Sequence, residues 1–178
     1  MLFRKQIYGE DPAYTFTQKI GITMLFLHYI KRELETLFVH RFSNDTMPFF
    51  NVFKNSTHYW ILLGVGAMYF LVHPKYTPPA WSNDSIQICL FVAFCCFEFM
   101  NLMCHITLKN LRPPGTTKRG VPAGYGFGMV SCANYLWEGC AWLTFAILSN
   151  TIFGWIFLIV SGGQMAVWAK KKQNAYRK

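Results

Sequence analysis

Residues 20–36 read IGITMLFLHYIKRELET, and this stretch decides how the rest of the chain is interpreted. Its apolar part ends at Leu27, and after His28 and Tyr29 two cations and two carboxylates follow within six residues. Such a change is typical of a membrane edge, where charged side chains are costly unless they face a bundle interior or a wet cavity. The stretch therefore predicts a membrane protein with a polar site that opens on one face.

Composition favours the same class of protein. Of the 178 residues, 53% are hydrophobic, 18% are aromatic and only 14% are charged, whereas soluble domains have about a quarter charged residues. The net charge of +9 would suit nucleic acid, but the cations lie in short links between apolar runs without an interleaved aromatic strip. We therefore expect no nucleic-acid partner, since membrane topology explains the basic links better.

Five apolar segments lack the alternation of strands and are interpreted as helices: residues 14–30, 58–73, 86–108, 129–148 and 151–169. Several approach the ~20 residues that cross a bilayer. Little more than Ser149 and Asn150 separates the last two, which predicts a tight helical hairpin. The predicted fold is an all-α integral membrane bundle of about five transmembrane helices, with its active site opening to the cytosolic face. Residues 1–13 would form an N-terminal flank and residues 14–178 the membrane domain.

The distribution of lysine and arginine predicts which side of the membrane each link occupies. In the five-span scheme, residues 31–57, residues 109–128 and the tail after residue 169 share one side and hold thirteen of the 17 Lys and Arg residues. Because cytoplasmic loops carry an excess of these residues, the basic loops and the C-terminus are predicted to be cytosolic.

The six cysteines all fall inside predicted spans and are expected to be small apolar packing residues. The chain has no Cys-x-x-Cys pair and no His/Cys ligand spacing. We therefore expect neither disulfides nor a metal site.

The third span carries polar residues on one helical face. Glu98, Asn101, His105 and Arg112 lie at i, i+3, i+7 and i+14, within about 60° of one another. They could form a polar seam that joins two helices through hydrogen bonds. They could instead line a wet groove that leads to the basic loop and receives an anionic ligand. A histidine and a glutamate on the same stripe as an arginine favour this second interpretation.

The start of the fourth span offers a second polar group. Asn134 and Glu138 are one helical turn apart, so a single ligand could contact both, although a buried hydrogen-bonded pair would explain them equally. Tyr135 between them could also be an interfacial residue. The glycine-rich residues 120–128 lack the spacing and the strand–turn–helix context of a dinucleotide-binding loop. A nucleotide, if bound, would be held by membrane helices.

Several motifs carry a family resemblance: HYIKRELET at 28–36, TMP at 46–48, FKN at 53–55, NLRPPG at 110–115 and SCANY at 131–135. Together they resemble the steroid 5α-reductase family, and within it most closely the very-long-chain trans-2-enoyl-CoA reductases of the endoplasmic reticulum. The resemblance runs from about residue 20 to the end of the chain. The first motif and the loop motifs at 46–48 and 53–55 are more typical of the enoyl-CoA branch than of the steroid branch.

The resemblance implies an NADPH-dependent reductase of the endoplasmic reticulum membrane. Its substrate would be very-long-chain trans-2-enoyl-CoA, whose 2,3-double bond is reduced to give saturated acyl-CoA in the last step of each fatty-acid elongation cycle. The resemblance also implies contact with membrane lipid and with the other elongation enzymes. The family pattern has further chain before the first span and a further C-terminal tail, so the chain is expected to be a fragment.

The resemblance also implies roles for individual residues. The residues carried over as NADPH contacts are Asn101, Arg112, Arg119, Asn134 and Glu138, with Tyr176 as a further candidate. Arginine suits this role because guanidinium groups bind phosphate oxygens bidentately. Tyr29 is expected to polarise the substrate carbonyl, Tyr135 is the alternative proton donor, and Lys31 is a further candidate catalytic group.

Other functions remain open from the sequence. A steroid or polyprenol reductase would share the hydride chemistry but take an enone or allylic alcohol. A membrane methyltransferase of the isoprenylcysteine type would bind S-adenosylmethionine, and a non-catalytic membrane subunit would use the polar stripe only to join helices.

Overall fold

A computed structural model describes residues 3–41, 46, 48–112 and 120–177. Within these ranges the backbone forms seven α-helices and one π-helical segment, and no strand occurs. The α-helices are α1 (Arg4–Tyr8), α2 (Phe16–Phe38), α3 (Phe50–Ser56), α4 (Met68–Leu71), α5 (Asp84–Asn110), α6 (Ala133–Ser149) and α7 (Ile152–Tyr176). The π segment, Thr57–Ala67, connects α3 to α4.

Each predicted apolar segment lies on a helix, which confirms the all-helical class. The third and fifth segments lie on α5 and α7, and these two helices are long and apolar enough to cross a membrane. The predicted total of five spans stays a prediction. The fourth segment begins as a helix at Ala133 rather than at residue 129, because Gly124, Tyr125 and Gly126 adopt positive φ angles and form a turn just before it.

Side-chain caps fix where the long helices begin. Thr15 and Gln18 form a reciprocal capping box at the start of α2. Asn83 accepts a hydrogen bond from the Ile86 backbone at 2.9 Å, and Thr151 accepts one from the Gly154 backbone at 3.1 Å. Because Thr151 caps α7 immediately after α6 ends at Asn150 (φ 42°), the two helices form the predicted tight hairpin.

The second predicted span is not an ordinary α-helix. Its first part is the π segment, where the Met68 backbone N–H bonds to Leu63 O, five residues earlier. Gly66 permits a close approach to α7, since a Cβ at Gly66 would lie 2.6 Å from Cδ1 of Phe153. A local widening of this kind often occurs at functional sites, and here His58 of the π segment stacks on Phe157 of the core.

The bundle is built around one apolar core. Helix α5 packs on α6, α6 on α7, α7 on the π segment, and α2 on both α5 and α6. Members of the core come from all these elements: Met24, Leu25, Leu63, Ala67, Leu71, Phe94, Ala141, Trp142, Phe145, Leu148 and Phe157. Each large side chain buried there contributes about 1.5–3 kcal/mol in an aqueous reference state.

Beyond the core residues Met24 and Leu25, helix α2 buries polar side chains and exposes apolar ones. His28 and Glu35 are 2% and 1% exposed, whereas Phe26 and Leu37 are 67% and 71% exposed. This arrangement reverses that of a soluble helix and is the one expected where lipid surrounds the bundle. Of the charged residues of α2, Lys31, Arg32 and Glu35 therefore take part in ion pairs within the bundle, whereas Lys19 and Glu33 are exposed. Helix α2 is not among the helices that could cross a membrane by composition alone.

The residues before α2 pack onto the end of α4. Arg4 is 1% exposed, its Nε donates to Val72 O at 2.9 Å, and its guanidinium lies 4.2 Å from the Tyr14 ring centroid. Tyr8 donates its hydroxyl to Tyr69 O at 2.8 Å. The flank is thus attached to the opposite end of the bundle from the basic loops.

Candidate active site

A chain of buried polar contacts joins α2 to α5. His28 Nδ1 lies 2.8 Å from Glu98 Oε1, and Lys31 Nζ lies 2.6 Å from Glu98 Oε2. The His28 ring also lies against Trp142, with centroids 4.5 Å apart. Glu98 therefore has a partner on each carboxylate oxygen, which is what a carboxylate inside a helical bundle requires.

The same lysine extends the network to α6. Lys31 Nζ donates to Asn101 Oδ1 at 2.5 Å. The Asn101 amide donates in turn to Asn134 O at 2.8 Å and to Glu138 Oε2 at 3.2 Å. Three helices are therefore connected through one amide, and the orientation of the Glu138 carboxylate depends on Asn101 and, through it, on Lys31.

A second ionic cluster lies nearer the basic end of the bundle. Glu35 is contacted by Arg32 NH1 at 2.9 Å, by His105 Nδ1 at 3.0 Å and by Lys31 Nζ at 3.5 Å. Glu35, His40 and His105 present potential metal ligands within 4.8 Å of one another. Because Lys31 and Arg32 already neutralise the carboxylate, these contacts form an ion-pair network rather than a favourable place for a cation.

His40 ends this cluster, just beyond α2. Its ring centroid lies 5.1 Å from that of His105. Burial lowers the pKa of His40, and the nearby positive charges of His105 and Arg32 lower it further. The neutral imidazole is therefore the favoured form of His40 at neutral pH.

The predicted stripe on α5 forms a seam with α2 and the residues that follow α2. Glu98 and Asn101 contact Lys31, and His105 contacts Glu35, as described above. Arg112 donates from NH1 to Arg41 O at 2.7 Å, and Arg41 NH1 donates to Arg112 O. The stripe thus forms the interhelical hydrogen bonds expected of a polar seam. The open space expected of a ligand-binding groove lies beside the stripe.

That space is a cavity of about 700 Å³ between α2, the π segment, α5, α6 and α7, which we call the polar cavity. Its polar lining includes Arg32, Lys54, His58, His105, Asn134, Tyr135, Glu138, Ser161 and Gln164. Its apolar lining includes Ile61, Leu62, Trp142, Phe153, Phe157 and Val160. A pocket of this size with a few polar groups and an aromatic floor is typical of a small-molecule site.

A second cavity, of about 1010 Å³, lies on the other face of α6 and α7, and we call it the α6–α7 groove. The glycine-rich turn forms one of its walls. This turn is held in place by Tyr125 O, which accepts from Trp137 Nε1 at 2.8 Å and from Cys104 Sγ at 3.3 Å. At Gly126 (φ 98°), a Cβ would lie 3.1 Å from Trp137 Nε1, so glycine permits both the turn and its close packing.

The three predicted catalytic residues occupy different surroundings. Tyr135 lines both cavities, and its ring centroid lies 6.1 Å from that of Trp168. Tyr29 is not in the lining described for either cavity, but it packs edge-to-face on Tyr59 of the polar cavity at 6.4 Å. Lys31 lies in the seam and donates to Asn101, which in turn donates to Glu138.

The predicted cofactor residues are also divided. Asn134 and Glu138 line the polar cavity. Asn101 donates hydrogen bonds to both of them. Tyr176 lines the α6–α7 groove instead. Arg112 is 8% exposed at the end of the seam, and Arg119 lies outside the described residues.

Several residues of the polar cavity were missed by sequence reasoning. Ser161, Gln164 and Trp168 lie at i, i+3 and i+7 on α7, and this polar-edged stripe could have been recognised. His58 gave no such signal. Its Nε2 lies 3.0 Å from Ser161 Oγ, a contact between residues far apart in sequence.

Comparison with known proteins identifies the family of this helical bundle. Residues 45–178 match the family model described as 3-oxo-5-alpha-steroid 4-dehydrogenase. The chain belongs to this family, as the motifs at 110–115 and 131–135 had indicated.

Several curated relatives of this chain bear enoyl reductase or enoyl-CoA reductase names. A very-long-chain enoyl-CoA reductase of Dictyostelium discoideum is 45% identical over 97% of this chain and 56% of the relative. A provisionally named enoyl reductase of Schizosaccharomyces pombe is 44% identical over 98% of this chain and 59% of the relative. A provisionally named enoyl-CoA reductase of Trypanosoma brucei is 42% identical over 97% and 58%, respectively. The chain thus spans less than three fifths of the length of these relatives.

Proposed function

We propose that this protein reduces the 2,3-double bond of very-long-chain trans-2-enoyl-CoA with NADPH, as the last step of fatty-acid elongation. The observation that carries the proposal is the convergence of Asn134, Tyr135 and Glu138 on one polar cavity. Relatives at 42–45% identity bear the name of this activity. The assignment of the reaction therefore rests on the family, and the assignment of residues rests on the geometry.

The polar cavity suits the nicotinamide end of the cofactor. A carboxamide both donates and accepts hydrogen bonds, which the side chains of Asn134 and Glu138 can satisfy. Arg32 and Lys54, which also line the cavity, supply positive charge for phosphate groups. We assign Asn101 to orienting Glu138, and Arg112 and Arg119 to the outer phosphates.

The reaction needs one hydride and one proton. Bound NADPH would supply the hydride to C3 of the enoyl thioester, which leaves negative charge on the thioester oxygen as an enolate. A hydroxyl held in a water-poor cavity can stabilise that oxygen by a hydrogen bond or donate the proton that C2 requires. We assign this role to Tyr135, because it lines the same cavity as Asn134 and Glu138.

Tyr29 and Lys31 act around this centre. Tyr29 packs on Tyr59 of the cavity lining and is not itself in the described lining, so we assign it a secondary role in polarising the substrate carbonyl. Lys31 is committed to Glu98 and Asn101, so we assign it a positioning role. Its positive charge also favours negative charge that develops nearby.

We further propose that the protein is a multi-pass protein of the endoplasmic reticulum membrane with about five spans in this chain. Lys54 and Asn55, which belong to one of the basic links, line the polar cavity, and the basic loops and the C-terminus would be cytosolic. Contacts with membrane lipid and with the other elongation enzymes would follow from this placement.

A steroid reductase is the second candidate, because the matching family model carries that description. Both reactions place a hydride next to a polarised carbonyl, so the residues would have the same roles. The difference lies in the substrate, which is a rigid ring system in one case and a flexible thioester in the other.

The test is NADPH oxidation by the purified protein in nanodiscs with trans-2-enoyl-CoA or a 3-keto-4-ene steroid. We expect turnover of the enoyl-CoA that falls by about 100-fold or more in Tyr135→Phe. Tyr125→Phe is the matched control, since the described contacts of Tyr125 are made by its backbone carbonyl. Turnover of the steroid alone would support the second candidate and contradict the first.

A further inference from the structure

The polar cavity changes character along its length. On α6, Asn134 and Glu138 precede Trp142, and on α7, Trp168 and Gln164 lie on the far side of Ser161 from Phe157 and Phe153. Since α6 and α7 are antiparallel, the polar residues of both helices lie at one end together with Trp168, and Trp142, Phe157 and Phe153 lie towards the other. From Trp168 to Phe153 the lining extends about 22 Å along α7.

Two groups of contacts fasten the π segment to α7 beside this cavity. At one end, Ser161 bonds to His58 at 3.0 Å, and the His58 ring stacks on Phe157 with centroids 4.9 Å apart. At the other end, Phe70, just past the π segment, stacks on Phe153 at 5.4 Å.

Beside the first group, the wall of the cavity is also part of the outer surface. Ile61 of the π segment and Val160 of α7 both line the cavity. They are nevertheless 60% and 47% exposed, respectively. The cavity surface therefore continues to the outside of the bundle between these two helices, and both side chains at this point are apolar.

We propose that the acyl chain of the substrate leaves the polar cavity between the π segment and α7, past Ile61 and Val160. This inference rests on the proposed function and adds the path of the chain and a residue that determines chain-length preference. The thioester lies at the polar end, near Tyr135 and Glu138. The first carbons of the chain lie against Trp142, and the following carbons pass Val160 and Ile61 into the surrounding hydrocarbon.

The size of the cavity supports this path. A volume of about 700 Å³ is that of a pocket for one drug-sized ligand, and the nicotinamide end of the cofactor would take part of it. A very long acyl chain then has no room to coil inside. Because the exit is apolar on both sides, the chain moves from one apolar surface to another without exposing methylene groups to water.

The first experiment narrows the exit with Val160→Trp. The control is Ile159→Trp, which alters a neighbouring residue that is 70% exposed and is not in the lining described for the cavity. We expect Val160→Trp to lower kcat/KM for a twenty-carbon trans-2-enoyl-CoA by about tenfold, because several methylene contacts would be lost. Turnover of trans-2-octenoyl-CoA, whose chain ends inside the cavity, should stay within about twofold.

Three results would overturn this path. They are an equal loss of kcat/KM with both substrates, no loss of kcat/KM with either, and the same loss for the long substrate alone in Ile159→Trp. If the wild type reduces no enoyl-CoA, the proposed function fails, and the path is then decided by a second experiment that needs no turnover.

The second experiment measures protection from a membrane-permeant maleimide at Val160→Cys, with Ile159→Cys as control and peptide mass spectrometry as readout. A saturated twenty-carbon acyl-CoA should slow labelling at position 160 several-fold and leave position 159 unchanged. Octanoyl-CoA should protect neither position. Labelling at 160 that the long chain does not slow would exclude this exit, whatever the enzymatic result.

Discussion

Lys31 Nζ lies 2.6 Å from Glu98 Oε2, so a cation of α2 and a carboxylate of α5 meet inside the bundle. The same ammonium reaches Asn101, which holds Glu138 at the edge of the polar cavity. Lys31 and Glu98 therefore contribute both to the stability of the bundle and to the geometry of the candidate active site. Separate variants can distinguish these two contributions.

Glu98→Gln should destabilise the protein, because Lys31 and His28 would lose the charge that compensates their burial. We expect a loss of about 3 kcal/mol and a fall in Tm of roughly 10 °C in detergent. The exposed Glu33, on the same helix as Lys31, offers the control Glu33→Gln. The double variant Lys31→Met with Glu98→Leu should recover part of the loss, and equal falls in Glu33→Gln and Glu98→Gln would contradict the prediction.

Asn101→Leu should weaken NADPH binding by about tenfold, a change of about 1.4 kcal/mol. Its amide is the described donor to Glu138, and without it this carboxylate would lose its orientation. Fluorescence titration with NADPH measures the effect. Asn110→Leu, at the exposed end of the same helix, is the control, and the prediction is wrong if both variants bind NADPH as the wild type does.

Tyr29→Phe should reduce kcat by less than about tenfold, whereas Tyr135→Phe should reduce it by about 100-fold or more. The reason is that Tyr135 lines the polar cavity, whereas Tyr29 is not in its described lining and packs on Tyr59, which is. Single-turnover kinetics of NADPH oxidation compare the two. The reverse order would assign the essential hydroxyl to Tyr29.

The pKa of His40 predicts sensitivity to acid. Since burial and the charges of His105, Arg32 and Lys31 lower this pKa against the opposing effect of Glu35, the folded protein binds fewer protons than the unfolded chain. The stabilising contribution is therefore present above the ordinary pKa of 6.5 and is lost as the pH falls through the lowered value. Melting curves between pH 7 and pH 5 should show a smaller fall in Tm for His40→Gln than for the wild type. An unchanged fall would place the acid sensitivity in other groups.

The proposed topology predicts opposite labelling of two exposed positions. In sealed microsomes, Lys171→Cys should react with an impermeant maleimide at once, because the C-terminal end of α7 would face the cytosol. Lys75→Cys, in the link between α4 and α5, should react only after the membrane is opened. Labelling of Lys75→Cys in sealed vesicles would contradict the five-span arrangement.

Much of the fold could be predicted because its signals are local. Apolar runs indicated the helices, Ser149 and Asn150 indicated the hairpin, and the spacing of Glu98, Asn101 and His105 placed them on one face. The motif SCANY and the turn of helix after it pointed to Asn134, Tyr135 and Glu138, and all three line the polar cavity. Each of these inferences depends on residues within a few helical turns of one another.

Which residues share a helix face follows from the helical period and can be read directly from the chain. What each face contacts depends on how the helices pack together. This packing paired Lys31 with Glu98, joined Arg112 to the backbone of Arg41, and brought His58 to Ser161 across 103 positions of the chain. It also placed the polar cavity beside the seam of α5. The reason is physical: the partner of a buried charge is set by how whole helices pack, and helix packing depends on core side chains distributed over the entire chain.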